Sequence, residues 1–290
     1  MFKVAILGCE NSHADAFLDL VLNKKIVDDI EFVGVYSDDT AAAEKLTEKF
    51  GVYAAKTYDE FVGKVDGLIV TARHGDNHYK FAKPYIASGI PMFIDKPITV
   101  SESDAIEFMR ELKAAGVKMC GGSSCIHAPY VKKLKGELAE NTHGEILGGY
   151  VRAPVSMENE YGGFFFYSQH LVQVMCEIFG FFPKSVVSYP SESGVFNFVV
   201  RYEGFDVMAS FLEGNYVYSV AASCKKRFVG DTYTLDNCYE SEFMEFHHLL
   251  TGGEQPVDYP EVIAPVYILN AMYRAYLGGK EEPVNPIGEI

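Results

Sequence analysis

The chain is short of positive charge: 25 lysines and arginines stand against 40 aspartates and glutamates, a formal net charge of -15 over 290 residues. Nucleic acid and anionic membrane surfaces are bound through cationic patches, so the deficit argues against both as partners. Long apolar runs are missing as well. None reaches the roughly 18 residues of a membrane-spanning helix; the closest, 163–182, is interrupted by Ser168, Gln169, His170, Gln173 and Glu177. The six cysteines, Cys9, Cys120, Cys125, Cys176, Cys224 and Cys238, show no C-x-x-C spacing, which leaves no disulfide framework to read. Met1-Phe2-Lys3-Val4 leads directly into a strand-like run without a signal-peptide pattern. Together these absences predict a soluble protein of a reducing, cytoplasmic compartment. His74 and His78 stand four apart, and His247 and His248 are adjacent. No nearby acid or cysteine completes a convincing set around the first pair, and the second pair faces two different sides of a helix, so no metal is expected.

What is present describes two domains. The chain exceeds the usual single-domain size, and its 48% of hydrophobic residues suffices for two cores. Residues 1–122 alternate short apolar runs with amphipathic stretches, the pattern of βαβ units on a parallel sheet. It predicts strands at 3–7, 31–36, 67–71, 91–94 and 118–120, with helices at 13–22, 40–50, 77–88 and 101–115. Gly51, Gly89 and Gly116 stand just past helix ends, and Ser101-Glu102-Ser103-Asp104 matches a capping box. After Gly122 the pattern becomes a helix at 129–140, a strand at 146–153 and an apolar helix at 163–179. A meander at 185–188, 195–202, 205–213 and 216–223 follows, with Glu203-Gly204 and Gly214-Asn215 as hairpin turns. Helices at 241–250 and 260–277 end the pattern. The fold class expected is α/β. A doubly wound Rossmann parallel sheet fills 1–122, and an α+β domain with a mainly antiparallel open sheet fills 123–290, whose last helix can return to the first domain. An open sheet has a face to cover, by the two final helices or by a second copy of the chain.

The most informative stretch is Phe93-Ile94-Asp95-Lys96-Pro97, where an apolar run ends in an acid, a lysine and a proline. Ligands of open α/β sheets bind at that carboxyl edge. Proline removes a donor and keeps the residue before it extended, so Lys96 is expected at the strand tip as an acid, a base or an orienting group. Gly8-Cys9-Glu10-Asn11-Ser12-His13 stands where a dinucleotide fingerprint G-x-G-x-x-G belongs. Only its first glycine is present. A carboxylate at Glu10 about 5 Å from a phosphate charge would cost roughly 3 kcal/mol at an effective dielectric of about 20, so either Glu10 points away or the pyrophosphate sits elsewhere. Asn11 and Ser12 suit phosphate donation and helix capping equally. Ser37 and Asp38 occupy the ribose-reading region after the second strand, where Asp38 can hold a 2'-hydroxyl and repel a 2'-phosphate, or start the next helix. Arg73 is suited to an anionic group of cofactor or substrate, or to the surface.

These residues resemble the Gfo/Idh/MocA (glucose-fructose oxidoreductase and inositol dehydrogenase) family of nicotinamide-dependent dehydrogenases. The family's E-K-P tripeptide appears as Asp95-Lys96-Pro97, its upstream histidine as His78, its glycine after the intervening helix as Gly89, its Gly-Glu-Ile as Gly144-Glu145-Ile146, and its Gly-Gly-led helix with a histidine as Gly162, Gly163 and His170. The resemblance implies a Rossmann domain followed by a substrate domain whose large sheet serves oligomerisation. It implies hydride transfer between a sugar or polyol carbon and NAD or NADP, with NAD favoured. Lys96 and His170 would assist proton transfer, and Asp95 would orient Lys96 or the nicotinamide ribose. Gly8, Glu10, Asn11, Ser12, His13, Ser37, Asp38, Arg73, His78, Asp95 and Lys96 would line the cofactor. This chain departs from the pattern at Glu10, at Arg73-His74-Gly75, at Ile126 where an arginine is usual, and at Phe166 where an aspartate stands four before the histidine. Tyr167 can replace part of that lost function.

Three functions follow from this reading. The first is an NAD(P)-dependent oxidoreductase for a sugar, polyol or related hydroxy compound, active as a homo-oligomer, a dimer or tetramer. The second is a non-catalytic dinucleotide- or sugar-binding sensor or accessory protein on the same fold. The third is an NAD-dependent glycosidase.

Overall fold

In the computed structural model, which describes residues 1–191 and 193–290, the chain divides into two units. One holds Met1–Gly122, Tyr239–Tyr259 and Ile290; the other holds Ser123–Cys238 and Pro260–Glu289.

The first unit is a parallel α/β sheet. Its chain runs β1 (Phe2–Leu7), α1 (Ser12–Leu18) with a π-helical turn at Asp19–Asn23, β2 (Ile30–Tyr36), α2 (Thr40–Phe50), β3 (Gly67–Val70), α3 (Asp76–Ile86), β4 (Met92–Asp95), α4 (Glu102–Ala114) and β5 (Met119–Gly122). The strand order is β2-β1-β3-β4-β5, and every pairing is parallel. All four residues of β3 and of β4 are buried, because helices cover both faces of such a sheet and its strands become continuous apolar runs. Helix starts follow the side-chain chemistry. Asp39 accepts from the Ala41 and Ala42 N–H groups at the start of α2, and Gly51 closes that helix at φ 73°. Ser101 accepts from the Asp104 N–H at the start of α4.

The second unit is built on a seven-stranded sheet. Its elements are α5 (Pro129–Ala139), β6 (Ile146–Val155), α6 (Phe164–Phe179), β7 (Ser185–Pro190), β8 (Val195–Arg201), β9 (Asp206–Glu213), β10 (Tyr218–Cys224) and β11 (Phe228–Tyr233), and later α8 (Tyr259–Gly278) and β12 (Glu282–Pro283). The order is β11-β10-β6-β9-β8-β7-β12. This corrects one expectation. Glu203-Gly204 does turn between the antiparallel strands β8 and β9, but Gly214-Asn215 is no hairpin, because β6 inserts between β9 and β10 and runs parallel to β9. The alternation of β9 and β10 reads the same whether they are neighbours or not.

Val151, Phe198, Val200, Val207, Ala209 and Phe211 are buried on one side of this sheet. On the other side, register places Val187, Val199, Met208, Tyr150 and Ala221 in one row across five strands. Met208 is 51% exposed. Among the described residues no helix is long and apolar enough to cross a membrane.

The segment returning to the first unit is not the last helix but the one before it, α7 (Cys238–Leu250). Phe243, Phe246, Leu249 and Leu250 join the core formed by Val4, Ile6, Phe17, Ile69 and Phe93. The Phe17 ring meets Phe93 edge-on at 5.2 Å and Phe243 at 5.3 Å. Each such buried phenylalanine is worth about 1.5–3 kcal/mol relative to exposure, which fastens α7 to this sheet.

Gly149 of β6 shows how closely α6 approaches its own sheet, since a Cβ there would stand 2.1 Å from the Phe179 ring. Gly149→Ala is therefore expected to lower the unfolding free energy by about 1–3 kcal/mol through overpacking. Urea denaturation with an unchanged midpoint would contradict this packing.

Candidate active site

In the first unit the ends of β1, β3 and β4 are tied together by buried polar groups. Asp95 is fully buried. Its Oδ2 accepts from Asn11 Nδ2 and its Oδ1 from the Lys96 N–H, both at 2.7 Å, while His13 Nδ1 lies 3.2 Å from Oδ2. Lys96 follows at the tip, 4% exposed, and its peptide bond to Pro97 is cis. Asn11 stands at the N-cap position of α1 but makes no capping bond there; its side chain is committed to Asp95 instead. Ser12 Oγ lies 3.3 Å from Asn11 Oδ1 and 3.2 Å from the Tyr239 hydroxyl.

His78, expected beside a cofactor, is fully buried on α3. Its Nδ1 lies 2.6 Å from the Pro97 carbonyl and its Nε2 2.7 Å from the Ala72 carbonyl. It therefore clamps the end of β3 to the Lys96-Pro97 turn. Burial pushes its pKa down to about 4 against the pull of the two carbonyls, and the neutral ring donates to one of them at a time.

The loop after β1 keeps the first glycine for a steric reason. Gly8 has φ 74°, and a Cβ there would stand 2.4 Å from the Ala72 backbone. Thr71 Oγ1 donates to the Gly8 carbonyl. Glu10 points to the ends of the neighbouring strands, where its Oε2 accepts from Ser37 Oγ at 2.6 Å and its Oε1 from the Arg73 N–H at 3.0 Å. Its carboxylate stands at the strand-end region where an acid reads ribose hydroxyls in dinucleotide folds, and in that sense the residues fit a dinucleotide. Asp38 is engaged separately, accepting from the Tyr36 hydroxyl and facing Lys80 at 3.5 Å. Cys9 is buried, and burial pushes its thiol up to about 12.

In the second unit His170 and Tyr167 share α6, whose start depends on Gly162 and Gly163 at φ 101° and 58°. Asn159 fixes that turn, accepting from the Gly163 N–H and donating to its carbonyl. His170 is 6% exposed. Its Nδ1 lies 2.7 Å from Ser123 Oγ and 3.4 Å from Cys125 Sγ. Ser123 is fully buried, donates its N–H to Gln173 Oε1 and accepts the Cys125 N–H. The Tyr167 ring meets His170 edge-on at 5.0 Å. Burial raises the Tyr167 pKa. Phe166, at the position of the family aspartate, packs on Tyr161 and Tyr167.

Ser123 and Gln173 of these networks, and the buried Glu242 of α7, were not foreseen. Ser123 has no sequence signal, being a small polar residue in a loop. Gln173 stands three after His170 on the same helix face. Glu242 belongs to the spacing of Tyr239, Phe246 and Leu249 on the buried stripe of α7, and an acid on an apolar stripe is a readable signal. Among the described residues no group of three His, Cys, Asp or Glu is placed to hold a metal.

Comparison with known proteins adds to this geometry. Residues 2–122 match the model of the oxidoreductase family with an NAD-binding Rossmann fold, Gfo/Idh/MocA. Among solved structures, the myo-inositol 2-dehydrogenase of Lactobacillus plantarum superposes with a TM-score of 0.85 at 13% identity, covering 98% of this chain and 99% of that one. The myo-inositol dehydrogenase of Corynebacterium glutamicum ATCC 13032 gives 0.84 at 14% identity, with 99% of each chain covered. GenD2 from gentamicin A biosynthesis, in complex with NAD, gives 0.83 at 15%, covering 98% of this chain and 97% of that one. A sequence search of curated proteins gives no match.

Ser123→Ala removes a partner of His170 Nδ1 and is expected to cost about 1–3 kcal/mol and to move the His170 ring-nitrogen NMR shifts; unmoved shifts would contradict the contact. A histidine whose folded pKa is depressed contributes stability above its unfolded value of about 6.5 that is lost as pH falls through the folded one. His78→Gln should therefore flatten the acid limb of the stability curve between pH 6.5 and 4 by up to about 3 kcal/mol, read by urea unfolding, and an unchanged pH slope would contradict it.

Proposed function

We propose that this chain, whose residues 2–122 belong to the Gfo/Idh/MocA oxidoreductases, is a cytoplasmic NAD-dependent dehydrogenase of a polyol, sugar or related hydroxy compound. The observation that carries the reading is the strand tip of β4, where Lys96 emerges from a buried carboxylate that holds its own N–H. The inositol dehydrogenases among the solved structures support a polyol class of substrate. The nicotinamide, when bound, accepts or returns the hydride.

The chain's own residues do the rest. Lys96 takes the hydroxyl proton as the carbonyl forms and returns it in the reverse direction. Asp95 keeps Lys96 in place, since its carboxylate can move only by breaking bonds to Asn11 and to the Lys96 N–H. By the resemblance alone, His170 and Tyr167 are assigned as polar contacts to substrate hydroxyls; within the second unit Ser123 holds the His170 ring. Gly8 keeps the first turn tight enough for a dinucleotide.

The preference for NAD rests on Glu10 together with Asp38. A 2'-phosphate about 5 Å from either carboxylate would be opposed by roughly 3 kcal/mol at an effective dielectric of about 20, less where solvent screens it. We further assign the row of Val187, Val199, Met208 and Tyr150 to contact with a second copy of the chain, giving a dimer or tetramer.

The test uses fluorescence titration with NADH and NADPH and a turnover screen over inositols and sugars. NADH is expected to bind at least tenfold more tightly than NADPH. Lys96→Ala is expected to lower turnover by about 10² to 10⁴ while NADH affinity changes far less. Full turnover in Lys96→Ala would remove the assignment of Lys96, and the absence of NADH binding would remove the dehydrogenase reading altogether.

A further inference from the structure

Behind Asp95 a chain of ionisable groups continues into the core of the first unit. His13 on α1 is 3% exposed, and Glu242 on α7 is 1% exposed. His13 Nδ1 lies 3.2 Å from Asp95 Oδ2, and His13 Nε2 lies 3.3 Å from Glu242 Oε2. These separations are within reach of hydrogen bonds, yet neither ring nitrogen is well aligned for one, and neither Glu242 oxygen has another hydrogen-bond partner. Tyr239 and Phe17 wall the imidazole at 4.5 and 5.8 Å between ring centres. An ionised carboxylate buried with no donor is one of the costliest arrangements in a protein. A protonated one brings its own donor.

One negative charge has to be placed on the trio, and the contacts decide where. Asp95 accepts two N–H bonds, from Asn11 and Lys96, whereas Glu242 accepts none. We propose that Glu242 is a positioning residue for the Asp95-Lys96 strand tip: held as a neutral acid, it donates to His13 Nε2, fixes the Nδ1–H tautomer and directs that N–H at Asp95 Oδ2. Asp95 is then free to serve Asn11 and the Lys96 N–H without a second anion behind it. The functional consequence rests on the reading of Lys96 given above; the protonation of Glu242 does not.

The surrounding charges agree with this placement. Burial and then the charge of Asp95 raise the pKa of Glu242, with Lys96 pulling against them. Burial lowers that of His13, opposed by Asp95 and assisted by Lys96. Cys120 on β5 also faces the acid, and its thiol is raised by burial, by Glu245 and by Glu242. Tyr239, on α7 itself, packs its phenol ring on the imidazole. The sign follows directly. An acid whose folded pKa lies above its unfolded value contributes stability that is complete below the unfolded value and lost as pH rises toward the folded one. The wild type should therefore lose ground to Glu242→Gln, an isosteric variant that stays neutral, as pH rises from about 4.5 toward the folded value.

The experiment is thermal unfolding of the full chain, without ligand, from pH 5 to pH 9 in wild type, Glu242→Gln and Glu242→Leu, followed by NADH titration at pH 7. The melting temperature of Glu242→Gln is expected to gain on wild type by about 2–4 °C per pH unit. Its amide can still donate to His13 Nε2, so its NADH dissociation constant should stay within about twofold of wild type. Glu242→Leu lacks the donor, and its dissociation constant should rise at least tenfold. Superimposed pH profiles of wild type and Glu242→Gln would overturn the proposal, as would equal loss of NADH affinity in both variants. A wild type that binds no NADH would defeat the cofactor reading instead, and the ligand-free pH comparison would then decide the role of Glu242 by itself.

Discussion

A single buried carboxylate organises the first unit's site. Asp95 ends a fully buried strand of a sheet covered on both faces, and a charge in that position persists only if it is surrounded by donors. Asn11 from the first loop and the Lys96 N–H from its own chain supply them, and the His13 ring stands 3.2 Å away. The demand explains other features. Asn11 gives up the capping that its position on α1 would favour, and Lys96 is presented at a fixed point and not on a loose loop. His78, spanning the Ala72 and Pro97 carbonyls, holds the turn from the other side.

The second unit solves a similar problem differently. His170 is held by one helix face and one loop, with Ser123 at its Nδ1 and Gln173 holding the Ser123 backbone. The geometry depends on how closely α6 lies on its sheet, which is why Gly149 stands beneath the Phe179 ring. Rigid elements with small residues at the contact points give a precision that loops alone would not.

Much of this was readable in the chain, for identifiable reasons. The βαβ alternation, the caps at Ser101 and Gly51, and the Asp95-Lys96-Pro97 tip are local patterns, and local patterns survive into the fold. What was not readable depends on long-range pairing. The run at 216–223 looks like the partner of 205–213, and only the insertion of β6 shows otherwise. Glu10 carries no sign in sequence of which way it turns, because that is decided by the Ser37 hydroxyl and the Arg73 N–H. Glu242 is more than two hundred residues from His13, yet an acid on the Phe243-Phe246-Leu249 face of α7 was a visible conflict between residue and environment. Such conflicts are expected where function is placed.

The dehydrogenase reading stands or falls on whether a nicotinamide reaches the β4 strand tip. A crystal structure of the protein with bound NADH measures this directly. The nicotinamide ring is predicted to lie against Lys96, with Glu10 or Asp38 on the adenosine ribose hydroxyls. A dinucleotide bound elsewhere, or a strand tip left without one at saturating NADH, would contradict it.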